Sequence, residues 1–94
     1  MIEPLKSHQI KWLIVESLAT GSIRFSDHAR EELQNDEMVV ADALRVLRGG
    51  TISAGEFERG SWRYRIEARK IVVVITFASL SPVITVVVTA WKRK

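Results

Sequence analysis

Ser61-Trp62-Arg63-Tyr64-Arg65-Ile66-Glu67-Ala68-Arg69-Lys70 is the stretch that decides the fold class. Read as a strand, it splits by parity. Trp62, Tyr64, Ile66 and Ala68 fall on one face, and Ser61, Arg63, Arg65, Glu67 and Arg69 on the other. One face suits a core, and for Trp62 and Tyr64 core packing is the favoured role. The other face has to be solvated or matched by an anion, because guanidinium groups are costly to bury unpaired. Phosphate is the commonest anion that arginine forks fit. The plain alternative is the wet side of an ordinary half-buried antiparallel strand.

The period of two continues downstream. Ile71-Val72-Val73-Val74-Ile75 and Val83-Ile84-Thr85-Val86-Val87-Val88 are nearly continuous apolar runs, as expected of central strands covered on most of both faces. The pattern predicts strands near 51–58, 61–68, 70–79 and 83–91. Arg59-Gly60 turns between the first two, Lys70 lies near the next reversal, and Leu80-Ser81-Pro82 makes the last. No helical crossover fits between them, so they form an antiparallel meander.

Upstream the period is helical. Ile10, Leu13, Ile14 and Leu18 make a stripe within residues 5–19, flanked by Trp12 and Val15 and ended by Thr20-Gly21. Residues 22–25 are a short strand or an extended lead-in. Ser26 or Asp27 can cap a second helix over about 27–35. A third helix over about 39–48 is expected to bury Val40, Ala43, Leu44 and Leu47, with Arg45 and Arg48 in its last turns. The fold expected is therefore α+β: one domain over residues 1–94, with N-terminal helices on one face of a curved antiparallel sheet of about four strands.

Ninety-four residues with 47% apolar content are enough for one small core. There are no cysteines. That excludes a disulfide framework and a thiolate metal site, and suits a reducing, cytoplasmic setting. No run is long and charge-free enough for a transmembrane helix, and the N-terminus lacks the shape of a signal peptide, so no membrane partner is expected. Net charge is +3 but uneven: residues 1–44 sum to −4 and residues 45–94 to +7. Such asymmetry points to a polyanion or an acidic partner for the C-terminal half.

Among residues able to do chemistry, His28 is expected in the first turn of the second helix, where free N–H groups and the dipole suit a phosphate. Glu31 and Glu32 lie within reach of it. The alternative is an ordinary, partly exposed histidine. RNA cleavage without a metal needs a base for the 2′-hydroxyl, an acid for the leaving oxygen, and cations for the charged phosphorane. Arg63 and Arg65 suit the last task. Glu67, in phase with them, could be an acid or base, or simply a cross-strand ion-pair partner. Arg69 and Lys70 extend the basic run. Trp91 could stack a base or cap the core. Lys92 opens a basic tail, Lys92-Arg93-Lys94, that could touch phosphates. No cofactor loop, metal-ligand spacing or nucleophile elbow is present.

Three segments combine into a resemblance: Phe25-Ser26-Asp27-His28-Ala29-Arg30-Glu31-Glu32-Leu33, Gly60-Ser61-Trp62-Arg63-Tyr64-Arg65-Ile66, and Val86-Val87-Val88-Thr89-Ala90-Trp91-Lys92. In their order and spacing, over roughly residues 22–93, the chain resembles the bacterial family called domain of unknown function 4258. The resemblance implies a fold similar to the RelE and MqsR toxins. It also implies a role as the toxin of a type II toxin–antitoxin pair, an mRNA endoribonuclease needing no metal and no cofactor. Its partner would then be an antitoxin carrying a zinc finger of the MqsA type. Carried over by motif, His28, Arg63 and Arg65 are the implied functional positions, with Thr89 and Trp91 behind them. The rival expectation is a non-catalytic module that binds RNA or an acidic protein.

Overall fold

The computed structural model describes all residues, 1–94. Three helices, α1 (Ser7–Thr20), α2 (Asp27–Asn35) and α3 (Val40–Gly49), accompany six strands. These are β1 (Ile23–Phe25), β2 (Thr51–Ile52), β3 (Glu56–Glu58), β4 (Ser61–Ala68), β5 (Ile71–Leu80) and β6 (Val83–Lys92). The α+β class is as expected. The sheet is larger and more mixed than four antiparallel strands: its order is β1-β6-β5-β4-β2, and β3 also pairs with β4. β4, β5 and β6 form the antiparallel meander, whereas β1 joins β6 in parallel, Ile23 opposite Thr85. No helix is long and apolar enough to cross a membrane.

The expected strand over 51–58 is two strands. β2 pairs Ile52 with Ile66, and β3 pairs Glu56 with Arg63, so the register slips by one residue across Ser53-Ala54-Gly55. The cause lies underneath. A Cβ at Gly55 would stand 2.6 Å from Cε1 of Tyr64, so the chain passes directly over that ring and only glycine fits. The extra residue is a bulge in the edge strand.

The covered face of β4 carries Tyr64 and Ile66, both fully buried. They join Val73, Ile75, Val87 and residues of all three helices in one core cluster. From α1 it takes Ile10, Leu13 and Ile14; Trp12 and Val15 stay exposed. From α3 it takes Ala43, Val46 and Leu47, not Val40, which is exposed; Leu44 is half-buried. The stripe of α3 is thus rotated from the one expected.

α2 starts at the cap the sequence suggested. Ser26 Oγ accepts a hydrogen bond from the Ala29 N–H and donates one to the Val88 carbonyl, each at 3.0 Å. The same residue's N–H donates to the Val87 carbonyl. Farther on, the Lys92 N–H donates to Asp36 Oδ2 at 2.8 Å, just past the end of α2. α2 therefore runs along β6 beyond the end of β1.

One polar contact crosses the core. Ser17 of α1 and Thr85 of β6 are both fully buried and share a hydrogen bond of 2.7 Å. Removing one hydroxyl leaves the other buried without its partner, at a cost of about 1–3 kcal/mol. Thr85→Val and Ser17→Ala should each lower stability by that order. The double variant should cost clearly less than their sum, as read by chemical denaturation in a double-mutant cycle.

Candidate functional site on the open face of the sheet

β4 turns Arg63, Arg65 and Glu67 away from the helices, as parity predicts, and a groove forms over them on the helix-free face. Register places Arg65, Val74 and Thr89 abreast, and Glu67, Val72 and Trp91 abreast. The Arg65 guanidinium carbon lies 5.3 Å from the centre of the Trp91 ring, a cation–π contact. Arg63 is half-buried, and its Nε is buried with no hydrogen-bond partner. Neither arginine takes part in any of the three ion pairs of the molecule.

Trp91 reaches this face because β6 contains an irregularity. Val83, Thr85 and Val87 point into the core, and continued alternation would send Thr89 and Trp91 there too. Between the pairs Val74–Thr89 and Ile75–Val87 the register shifts, and Val88 is the extra residue. Beyond it Ala90 faces the core, and Thr89 and Trp91 line the groove. Ser26 holds the Val88 carbonyl at this point. Simple alternation along residues 83–91 misses the change of phase; Trp91 stood out as a possible stacking surface, and Thr89 only through the motif Val86-Val87-Val88-Thr89-Ala90-Trp91-Lys92.

Glu67, expected in phase with the arginines, is not the only acid on this face. Glu56 and Glu58 of β3 line the same groove as Arg63, Arg65 and Glu67. The hairpin at Arg59-Gly60 sets Glu56 opposite Arg63 and Glu58 opposite Ser61. A two-residue turn at those positions would have foretold both pairs from sequence. Glu67 is half-buried and accepts a hydrogen bond from Arg93 Nη2 at 2.9 Å. Of its two expected roles, the ion pair is the one formed, with the tail rather than across the ladder. No three acidic or histidine side chains converge closely enough to hold a metal ion.

His28 does not join this group. It lies exposed on α2, with Nε2 3.8 Å from Glu32 Oε1, and it does not line the groove. α2 runs along β6, and β5 and β6 stand between it and β4. At about 4.8 Å per strand, β4 is about 10 Å from β6 in the pairing direction alone. Arg69 and Lys70 form the turn between β4 and β5, at one end of the face, where the Arg93 N–H donates to the Lys70 carbonyl. The Lys92 side chain is exposed at the end of β6.

Tyr64, on the covered face beneath the groove, fastens the N-terminal segment. Its hydroxyl donates to Glu3 Oε2 at 2.6 Å and accepts from the Leu5 N–H at 3.0 Å. Burial, and then the bond to Glu3, push its pKa up to about 12. A chain free of the fold would ionise this phenol near 10. Between those values the unfolded state loses the proton first, so stability falls as pH rises, by a total of order 2 kcal/mol. The stability advantage of the native chain over Tyr64→Phe should therefore be full below pH 10 and shrink as pH is raised toward 12, in urea denaturation series. An advantage independent of pH would contradict the assignment.

Comparison of the chain with protein-family models, with curated proteins and with solved structures finds no match.

Proposed function

We propose that the chain is the toxin of a type II toxin–antitoxin pair, similar in fold to RelE and MqsR, and that the open face of its sheet binds mRNA and cleaves it without a metal ion. The observation that carries this reading is the groove in which Arg63, Arg65 and Trp91 meet three carboxylates. Arginine forks match a phosphodiester and can stabilise a charged phosphorane. A tryptophan beside them offers a stacking surface for a base. The carboxylates supply what arginine lacks, an acceptor for the 2′-hydroxyl proton; the 2′-oxygen then attacks phosphorus, the P–O5′ bond breaks to leave a 2′,3′-cyclic phosphate, and the 5′-oxygen takes its proton from water or from the carboxylic acid so formed. Glu67 is engaged by Arg93, so Glu56, opposite Arg63 in register, takes the role of base in this reading. His28 stands apart and acts, if on RNA at all, outside the groove.

The antitoxin of such a pair, of the type with an MqsA-like zinc finger, would silence the protein by covering the arginines. The second reading, a non-catalytic module for RNA or protein, draws on the same carboxylates. They lower the positive charge of the face and admit a basic as well as an acidic ligand.

Cleavage of RNA in the presence of EDTA separates the two. The native protein should cleave, and Glu56→Gln should lose activity by about 100-fold or more while still binding RNA. Arg63→Ala with Arg65→Ala should lose both, with the salt dependence of binding flattened by about 1.4 in log–log slope, two phosphates' worth. Salt-dependent binding without cleavage leaves the module. Absence of RNA binding removes both RNA readings.

A further inference from the structure

The turn between β4 and β5 has two residues, since Ala68 pairs with Ile71 across it. Those residues are Arg69 and Lys70, and both have positive φ, 48° and 69°. A hairpin loop with two left-handed residues favours Asn-Gly, because a side chain with a Cβ is strained there. The neighbouring turn, Arg59-Gly60, relieves its second position with glycine (φ 82°). The β4–β5 turn does not, and places two long cations at the hairpin tip instead. Both are exposed, and neither is in an ion pair. Strain retained at a surface tip points to a use for the side chains.

The tip is not isolated. The Arg93 N–H donates to the Lys70 carbonyl, which brings the basic tail Lys92-Arg93-Lys94 alongside. A hollow beside the tip, bounded by Arg69 and Lys70, shares Ser53 and Glu67 with the groove of Arg63, Arg65 and Trp91. Glu67, the acid between the two, is paired with Arg93. A chain leaving the groove along β4 therefore meets Arg69 and Lys70 next, four residues or about 13 Å beyond Arg65. None of the large exposed apolar side chains lines the hollow beside the tip, which is bounded by Thr51, Ser53, Glu67, Ala68, Arg69 and Lys70. Protein interfaces centre on aromatic and apolar groups, whereas contacts to a nucleic-acid backbone need only cations and hydrogen-bond donors.

We propose that the Arg69-Lys70 tip, with Lys92 and Lys94, is a grip for the phosphate backbone of single-stranded RNA whose adjoining nucleotides occupy the groove. This rests on the reading that the groove takes RNA. The grip holds phosphates by charge and reads no base. Its strained turn is kept at the expense of stability.

The test uses the full chain with two variants, Arg69→Asn with Lys70→Gly, and Arg69→Gln with Lys70→Gln. The probes are a twelve-nucleotide 2′-O-methyl RNA, which resists cleavage, and a dinucleotide of the same chemistry. The Asn-Gly variant should melt higher, by roughly 4 °C or more, as the strain is relieved. Both variants should bind the twelve-mer about tenfold more weakly, with the log–log salt slope flattened by about 1.4. Both should bind the dinucleotide as the native chain does. Unchanged twelve-mer affinity in the Gln-Gln variant overturns the grip and leaves the groove reading standing. Equal loss on both probes overturns it as well, since the tip would then act on the groove itself. A native chain that binds neither probe removes the groove reading together with the grip. Polyglutamate is the control ligand: loss of affinity for it with unchanged affinity for RNA reassigns the tip to an acidic protein and overturns the proposal.

Discussion

A sheet covered by helices on one face only must hold two environments apart along every strand, and in this molecule β4 sets that division. Tyr64 and Ile66 are fully buried on one side, and Arg63 and Arg65 leave on the other. The side chains cannot exchange faces without a slip of one residue, which would bury the guanidiniums under the helices. Tyr64 tightens the division further. Its ring lies under Gly55, which the chain can cross only for want of a Cβ, and its hydroxyl fastens residues 3 and 5. The core, the edge strands and the N-terminal segment all take their places from this one strand.

β6 has the opposite task. Its first half continues the alternation of the core, but its second half has to present Thr89 and Trp91 beside Arg65. One extra residue, Val88, makes the change of phase. A bulge leaves backbone groups outside the ladder, and here the Val88 carbonyl is taken by Ser26, the residue that also caps α2. The start of α2, the end of β1 and the aim of Trp91 are thus tied to one hydroxyl. Val72 shows the result on the open face. It is fully buried there, flanked in register by Glu67 and Trp91, whose long side chains shelter it from water.

Where a local pattern was strong, it was legible. The alternation of residues 61–68, the Ser26 cap with a helix to residue 35, and the three-strand meander can all be read before any coordinates. The α+β class follows from them. Other features depend on contacts that no local pattern carries. β1 is three residues long and forms only because β6 offers it a parallel edge. The break between β2 and β3 answers to the Tyr64 ring, nine residues on from Gly55 in sequence. The rotated stripe of α3 reflects the approach of Val46 and Leu47 to the core, not the propensity of Val40. In the candidate site, Arg63 and Arg65 were legible by parity alone. The place of Trp91 was not, because a bulge inverts the parity on which such a reading depends. Whether His28 could share their anion was a question of topology, and α2 lies on the far side of β5 and β6 from β4.

The split of charge along the sequence also becomes clearer in three dimensions. The basic half does not form one uniform face. Arg69, Lys70, Lys92 and Lys94, all outside ion pairs, stand at the β4–β5 tip and the tail, while the groove sets two arginines among three carboxylates. For a surface that only binds a polyanion, those carboxylates are a disadvantage, since each repels the phosphates that the arginines attract. They are understandable if the groove has to move a proton as well as hold a charge, for arginine stays protonated and cannot accept one. On that view the two regions divide the work. On the proposed reading the tip, where neither Arg69 nor Lys70 is ion-paired, adds affinity to that of Arg63 and Arg65, so the groove need not hold the whole chain alone. A groove whose arginines meet a charge that grows in the transition state, beside a base, would favour that state over the bound substrate, which is the condition for catalysis rather than retention.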